Sequence, residues 1–183
     1  MPKFSVITVT YNAEKVLEKT IDSVVEQSYS KIEYIVIDGA STDSTPKIFE
    51  KYAKAIDVLI SEPDSGLYDA MNKGISKATG DYVVFLNAGD TFHCVDTLEE
   101  LVKKMPGDVL PDVVYGNTAL VKSSGEFIKM RRLKPPKDLT WKSFSKGMLV
   151  CHQAFFAKRE LVEDYNLKYK YSSDFDWCIR ILK

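Results

Sequence analysis

The chain predicts an α/β protein built on a mostly parallel sheet with helices on both faces. Three observations carry that prediction. From Phe4 to Leu86, β-rich runs alternate with amphipathic segments of helical length. The connections between them are short, which favours right-handed strand–helix–strand crossovers. Two of the apolar runs lead to an acid, Asp38 and Asp90, and open α/β sheets bind ligands at the carboxyl ends of their strands.

Phe4 to Val9 reads as the first strand. Glu14 to Gln27 then places Val16, Leu17, Ile21, Val24 and Val25 on one helical face, with acids and lysines opposite. Tyr34 to Ile37 is a second buried strand, closed by Asp38 and Gly39. Thr45-Pro46 marks a helix start, with Thr45 as N-cap and Pro46 at the first helical position, and that helix runs to about Ala55. Val58 to Ser61 is a third strand. Leu67 to Ala78 is helical, with Leu67, Ala70, Met71, Ile75 and Ala78 on the buried side. Gly80-Asp81 turns the chain into Tyr82 to Leu86, an unbroken apolar run that reads as a strand buried on both faces. Beyond residue 110 the alternation weakens. Val113 to Lys122 and Phe127 to Arg131, joined by Ser123-Ser124-Gly125-Glu126, read as a hairpin with a flexible turn. After Pro135-Pro136 comes a basic loop holding Trp141 and Phe144. Gln153 to Ala157 reads as a returning strand, and Arg159 to Tyr165 and Asp174 to Leu182 read as helices.

At 183 residues and 45% hydrophobic content, the chain can bury one domain but not two large ones. A net charge of −1 gives no global field to draw in nucleic acid or membrane. The charge is nonetheless uneven. Residues 1–121 hold eleven Lys/Arg against nineteen Asp/Glu, a balance of −8. Residues 122–146 hold Lys122, Lys129, Arg131, Arg132, Lys134, Lys137, Lys142 and Lys146 against Glu126 and Asp138, a balance of +6. That stretch reads either as a solvated hairpin face or as a patch that meets an anionic partner. Three widely spaced cysteines, Cys94, Cys151 and Cys178, do not form a disulfide framework. The pairs His93-Cys94 and Cys151-His152 lack zinc-ligand spacing. With no signal peptide and no membrane-length apolar run, the expectation is a cytoplasmic protein. Peripheral contact with the inner face of the plasma membrane would then run through residues 122–146.

Chemistry is read first from Asp90. The rigid run Tyr82–Leu86 leads through Asn87-Ala88-Gly89 to a carboxylate, and hard divalent cations want oxygen ligands on such a frame. A parallel sheet also suggests a nucleotide. The turn after the first strand, Thr10-Tyr11-Asn12-Ala13, has no glycine, so the dinucleotide fingerprint is missing, and there is no P-loop. Side chains and a metal would then have to grip the nucleotide. Tyr11 offers a ring for a base, or is a core residue with its hydroxyl at the rim. Asp38 either accepts from a base N–H or ribose hydroxyl, or caps an Asx-turn within Asp38-Gly39-Ala40-Ser41-Thr42-Asp43. Ligand contact is favoured for Asp38, and the structural role for Asp43 beside the Thr45 helix start.

Taken together, Ser5-Val6-Ile7-Thr8-Val9-Thr10-Tyr11-Asn12, Val36-Ile37-Asp38-Gly39-Ala40-Ser41-Thr42-Asp43-Ser44-Thr45 and Phe85-Leu86-Asn87-Ala88-Gly89-Asp90 resemble the family 2 glycosyltransferases. Those are inverting enzymes of the Rossmann-like GT-A fold that use nucleotide-diphosphate sugars. Glu62-Pro63-Asp64-Ser65-Gly66-Leu67-Tyr68-Asp69-Ala70-Met71-Asn72-Lys73-Gly74-Ile75 adds to the likeness. Cys151-His152-Gln153-Ala154 and Ser173-Asp174-Phe175-Asp176-Trp177 continue it along nearly the whole chain. The resemblance implies a nucleotide-sugar donor, first a UDP-sugar, and a hydroxyl acceptor on a glycan or lipid-linked glycan. It implies that Thr10, Tyr11, Asn12 and Asp38 line the nucleoside pocket, with Asp64, Gly66, Asp69 and Asn72 nearby. Asp90 would hold Mn²⁺ or Mg²⁺ against the diphosphate, the largest electrostatic help such a reaction needs. His152 would touch the diphosphate or the metal, and Asp174 would be the general base. Residues 1–183 would form one domain, with 1–117 binding the donor and 118–183 supplying the acceptor region and base. The chain ends inside its last helix, so the domain is expected to continue beyond Lys183.

The family commonly has acids where this chain has Asn87 and Gly89, and often where it has Gly39. With all three neutral, Asp90, phosphate oxygens and water would hold the metal, at weaker affinity. Asp174 is preferred to Asp176 on physical grounds. Asp176 has Arg180 four residues on for a helix-surface ion pair, whereas Asp174 shares a face with Cys178 and Ile181. The structural alternative for Asp174 is a cap or a dipole-stabilising acid in the first turn. A sugar nucleotidyltransferase would share the sheet and the metal chemistry, but it wants a Gly-rich, basic loop after the first strand. A nucleotide-sugar-binding module without catalysis is the other alternative, against which Asp90 and Asp174 both speak.

Overall fold

A computed structural model describes residues 1–107 and 109–183. In chain order the elements are β1 (Phe4–Thr10), α1 (Leu17–Val25), β2 (Ile32–Asp38), α2 (Thr45–Tyr52), β3 (Val58–Ser61), α3 (Leu67–Lys77) and β4 (Tyr82–Phe85). They continue with α4 (Thr97–Lys104), β5 (Val113–Tyr115), β6 (Ala119–Val121), β7 (Phe127–Met130), β8 (Phe155–Lys158) and α5 (Ser173–Ile181). The main sheet has the order β3-β2-β1-β4-β8-β5, and β6-β7 is a separate hairpin. Strands β1 to β4 run parallel, while β8 is antiparallel to both β4 and β5.

Side chains alternate across a strand, so each apolar run is divided between two cores. Ile7, Val9, Ile35, Ile37, Val83 and Phe85 face α3 and α5, meeting Met71, Ile75, Trp177 and Cys178. Phe4, Val6, Tyr34, Val36, Tyr82 and Val84 face α1, α2 and α4, meeting Leu17, Ile21, Phe49 and Leu98. Strands with two buried faces are apolar at most positions, which explains the long runs, and Ser5, Thr8 and Glu33 are buried in them only with hydrogen-bond partners. Helix α3 lies so close to β1 that a Cβ on Gly74 would stand 2.5 Å from Ile7 Cγ2. From β1 the chain steps outward to β2 and β3, then returns through α3 to β4 on the other side of β1. The carboxyl ends of β1 and β4 therefore flank the topological switch point.

Several boundaries differ from expectation, each where a tertiary contact takes over a backbone group. Thr45 is not the N-cap of α2; Ser44 stands there, and the Thr45 hydroxyl accepts the Ala13 amide at 2.9 Å. Asp43 accepts the Thr45 and Glu14 amides at 2.9 and 3.1 Å, the structural role foreseen for it. Val25 and Leu67, expected on buried faces, are exposed. The strand read from Val113 to Lys122 breaks after Tyr115, so that β5 joins the main sheet and β6 the hairpin. Helix α4 was not expected, because its segment is short, half charged and buries only Leu98. The helix read from Arg159 to Tyr165 is reduced to a 3-10 turn at Arg159–Leu161. Asn72 accounts for that change: its Oδ1 accepts the Tyr165 N–H at 2.7 Å and its Nδ2 donates to Tyr165 O at 3.0 Å. A backbone served by a side chain does not need helical bonds.

Strand β2 also buries Glu33, which fastens it to the start of β1 and the turn before β4. The Ser5 hydroxyl donates to Oε2 at 2.5 Å, the Thr79 amide to Oε2 at 2.7 Å and Lys3 Nζ to Oε1 at 3.0 Å. Burial works to raise the Glu33 pKa, but these donors hold it at about 2 against an ordinary 4.5. The stabilisation is therefore complete above the unfolded value and is lost as pH falls toward 2. The difference corresponds to about 3 kcal/mol. Glu33→Gln is expected to lower unfolding free energy by about 2–3 kcal/mol at pH 7. Urea melts should show its deficit against the wild type shrinking as the pH is taken down toward 2.

Candidate active site

The exit of β4 is held along β1: the Leu86 amide bonds to Ile7 O at 2.9 Å and the Ala88 amide to Val9 O at 3.1 Å. The buried strand thus delivers Asn87-Ala88-Gly89-Asp90 to the switch point. Gly89 has φ +102° and donates its amide to Thr20 Oγ1 at 2.9 Å. That left-handed turn would strain any side chain, which gives a physical reason for a glycine at this position. Asp90 is half-buried, and its Oδ2 accepts Gln153 Nε2 at 3.0 Å. Burial pushes its carboxyl up, opposed by Gln153 and the nearby His152. Among the described residues its Oδ1 has no hydrogen bond, and Asn87 Oδ1 is buried without a partner. A desolvated carboxylate and an orphaned oxygen are donors suited to a hard cation.

Gln153 shares the 3-10 turn His152–Ala154 with its neighbour His152. His152 reaches the other acid: its Nδ1 lies 3.4 Å from Asp174 Oδ2, while the Tyr68 hydroxyl donates to Asp174 Oδ1 at 3.0 Å. Two adjacent residues of one turn therefore hold Asp90 and Asp174. Asp174 lies in the first turn of α5, after Ser172 at φ +65°, and the Ser173 hydroxyl anchors that start to Asn166 O at 3.0 Å. Burial works to raise the Asp174 pKa, but His152 and Tyr68 take it below the ordinary carboxylate value. With its side chain 25% exposed, Asp174 is both ionised at neutral pH and reachable. Tyr68 stacks on Tyr165, and Tyr165 on Trp177, with centroids 5.3 and 5.1 Å apart, so the wall behind the acid is stiff. His152 is buried, and among the described residues its Nε2 has no partner. Asp176 accepts Arg180 Nε at 2.9 Å, the ion pair expected of it.

At the neighbouring strand ends, Thr10 pairs in register with Asp38. Thr10 Oγ1 is buried without a partner among the described residues, and Tyr11 is exposed rather than part of the core. Asn12 sits at φ +49°, its amide donating to Ser41 Oγ at 2.7 Å and its Oδ1 accepting the Thr42 amide at 2.8 Å. Asp38 is fully buried and accepts the Ser41 amide at 3.0 Å and the Ser61 hydroxyl at 2.6 Å, which is turn-building work. Asp64 bonds the Gly66 amide at 2.8 Å, and its Oδ2 lies 2.6 Å from where a Gly39 Cβ would stand. A side chain at position 39 would require the Asp64 carboxylate to move aside. Gly66, at φ +116°, opens α3.

The fold thus gathers Asp90, His152 and Asp174 at one place, and Thr10, Tyr11, Asn12, Asp38, Asp64 and Gly66 along the adjoining edge. Three expected residues are spent on structure, and for Asp38 the turn-building role stands in place of the favoured ligand contact, because its carboxylate is buried and taken by Ser41 and Ser61. Asn72 clamps Tyr165, and Asp69 accepts the Ser65 amide at 2.9 Å at the start of α3. Gln153 and Tyr68 were given no role in the sequence; the only signal was their place in the runs containing His152 and Asp69. Among the described residues no three His, Cys, Asp or Glu side chains converge as a metal cluster. Asp90 with ligand oxygens is therefore the arrangement the donors fit, as in sites that bind Mg²⁺ through one or two carboxylates and substrate phosphates.

The profile of Glycosyl transferase family 2 matches residues 5–165. A PGL/p-HBAD biosynthesis glycosyltransferase of Mycobacterium bovis is 34% identical over 185 residues, spanning 98% of this chain and 69% of the relative. The amylovoran biosynthesis glycosyltransferase AmsB of Erwinia amylovora is 30% identical over 192 residues, spanning 97% of this chain and 63% of AmsB. Among solved structures, S. aureus TarS in complex with UDP-GlcNAc superposes with a TM-score of 0.70 at 21% identity, over 98% of this chain and 53% of that one. The mannosyltransferase PcManGT from Pyrobaculum calidifontis, in complex with GDP-Man and Mn²⁺, gives 0.58 at 28% identity, over 87% of this chain and 45% of that one. The chain spans about half the length of these two structures. The TarS likeness shows the fold, a GT-A sheet with helices on both faces, as the sequence led us to expect.

Proposed function

The chain belongs to glycosyl transferase family 2, and on that footing we propose that it moves a sugar from a nucleotide-diphosphate sugar to a hydroxyl acceptor with inversion. A UDP-sugar is the first donor to test, since TarS was solved with one. Relatives named for PGL/p-HBAD and amylovoran biosynthesis point to an acceptor in glycan synthesis, lipid-linked or free. The observation that carries the reading is the turn whose His152 and Gln153 reach the two acids.

In this reading Asp90 holds Mn²⁺ or Mg²⁺ together with diphosphate oxygens. When bound, the metal neutralises charge building on the leaving diphosphate. Asp174 takes the proton of the acceptor hydroxyl as that oxygen attacks the anomeric carbon opposite the diphosphate. The new C–O bond forms as the bond to the diphosphate breaks, and the configuration inverts. Tyr68 and His152 keep the Asp174 carboxylate oriented and ionised, and His152 Nε2 is left for the diphosphate side. The edge from Thr10 to Asn12, with Asp64 and Gly66, receives the nucleoside, and Asp38 builds the turn beneath it.

Calorimetry with UDP and with UDP-GlcNAc tests this. Affinity should rise on the order of tenfold or more when millimolar Mn²⁺ is present, and the matching nucleotide sugar should be hydrolysed slowly. Pyrophosphate release from UTP and a sugar phosphate would favour a nucleotidyltransferase instead. Metal-dependent binding with no turnover on any acceptor would favour a binding module.

A further inference from the structure

Every residue of the hairpin from Leu120 to Met130 is exposed, although the ribbon itself is ordered. The Lys122 amide bonds to Glu126 O at 2.9 Å and the Arg131 amide to Thr118 O at 2.8 Å, while Lys19 of α1 donates to Ser123 O at the tip. Those bonds fix the backbone without burying the side chains. Leu120, Val121, Phe127, Ile128 and Met130 are each more than two-fifths exposed. Five large apolar groups on one short ribbon exceed the scattered singles of an ordinary surface.

The register shows how they are displayed. Val121 faces Phe127 and Ala119 faces Met130, while Leu120 pairs with Lys129 and the irregularity between Leu120 and Val121 leaves Ile128 over. Apolar side chains therefore stand on both sides of the ribbon, with no single flat face to press against a folded partner. A fluid layer can surround both sides. The hairpin also belongs to the +6 stretch of a chain whose first 121 residues balance at −8, and Lys129, Arg132 and Lys134 beside it are exposed. Apolar side chains at the acyl boundary and lysines or arginines among phosphate headgroups are the two parts of interfacial attachment.

We propose that the β6–β7 hairpin seats the protein on an anionic phospholipid leaflet. Its depth is limited, because both outer edges of a two-stranded ribbon carry unpaired backbone groups that must stay hydrated. The inference rests on the transferase reading only in that such seating would suit a lipid-linked hydroxyl acceptor.

Co-sedimentation with vesicles of phosphatidylcholine alone, or mixed with phosphatidylglycerol, tests it without any sugar donor, so a failed transfer assay leaves the result intact. Binding should be at least about tenfold stronger to the mixed vesicles and should weaken as salt shortens the screening length. Each basic residue near such a surface is worth about fivefold, so Lys129→Glu with Arg132→Glu should cost twenty-five-fold or more, roughly. Phe127→Ser with Ile128→Ser should lower binding about tenfold or more while leaving the thermal midpoint unchanged. Absence of binding, equal binding to both vesicle types, or full binding by both double variants would overturn the proposal. So would sedimentation velocity showing that the serine variant abolishes self-association instead.

Discussion

Asp174→Asn is expected to keep nucleotide binding and to lower sugar transfer by about a thousandfold or more. The amide keeps the shape of the carboxylate but cannot take a proton. It also faces the Tyr68 hydroxyl and His152 Nδ1, donors that currently share a negative charge. Removing only the Tyr68 donor should be milder. Tyr68→Phe is expected to cost about tenfold in kcat, and to move the acid limb of the pH profile upward, because Tyr68 is one of the groups that lower the Asp174 pKa. That shift distinguishes orientation of the base from simple packing loss, which would leave the limb in place. If Asp174→Asn turned over at the wild-type rate with an unchanged melting temperature, the base would have to lie elsewhere.

Asp90→Asn should have the second large effect, and on a different observable. Because Asn87 and Gly89 are neutral, no second acid in that turn can take over the cation. Donor affinity in Mn²⁺ is expected to fall to its metal-free value, and turnover by about a hundredfold or more. Calorimetry of UDP with and without Mn²⁺ reads the first, and titration of free Mn²⁺ by its electron paramagnetic resonance signal reads metal held by protein and nucleotide together. An Asp90→Asn protein that still showed the full Mn²⁺-dependent gain would remove Asp90 from the site. The two variants thus separate along binding and turnover, although one turn holds both acids.

Much of the architecture was legible because its causes are local. A strand buried on two faces is apolar along most of its length, so Phe4 to Val9, Tyr34 to Ile37 and Tyr82 to Leu86 announce themselves. An acid beyond a buried strand is visible for the same reason, and so was the contrast between Asp174 and an Asp176 with Arg180 four residues on. Helix α4 escapes the sequence because its short, half-charged segment buries only Leu98. The segment 159–165 was misread because its helical propensity was overridden by one distant amide, Asn72.

The sequence by itself determined the parallel α/β sheet, the carboxylates at its strand ends and the uneven charge, since periodicity and strand-end position depend only on residues close along the chain. The tertiary structure alone decided which side chains meet. It joined Asp90 to Gln153 and Asp174 to His152 and Tyr68, spent Asn72 and Asp69 on backbone groups, and left the β6–β7 ribbon uncovered. Those outcomes follow from the packing of elements far apart in the chain, where a hydrogen bond goes to whichever donor the fold brings within reach.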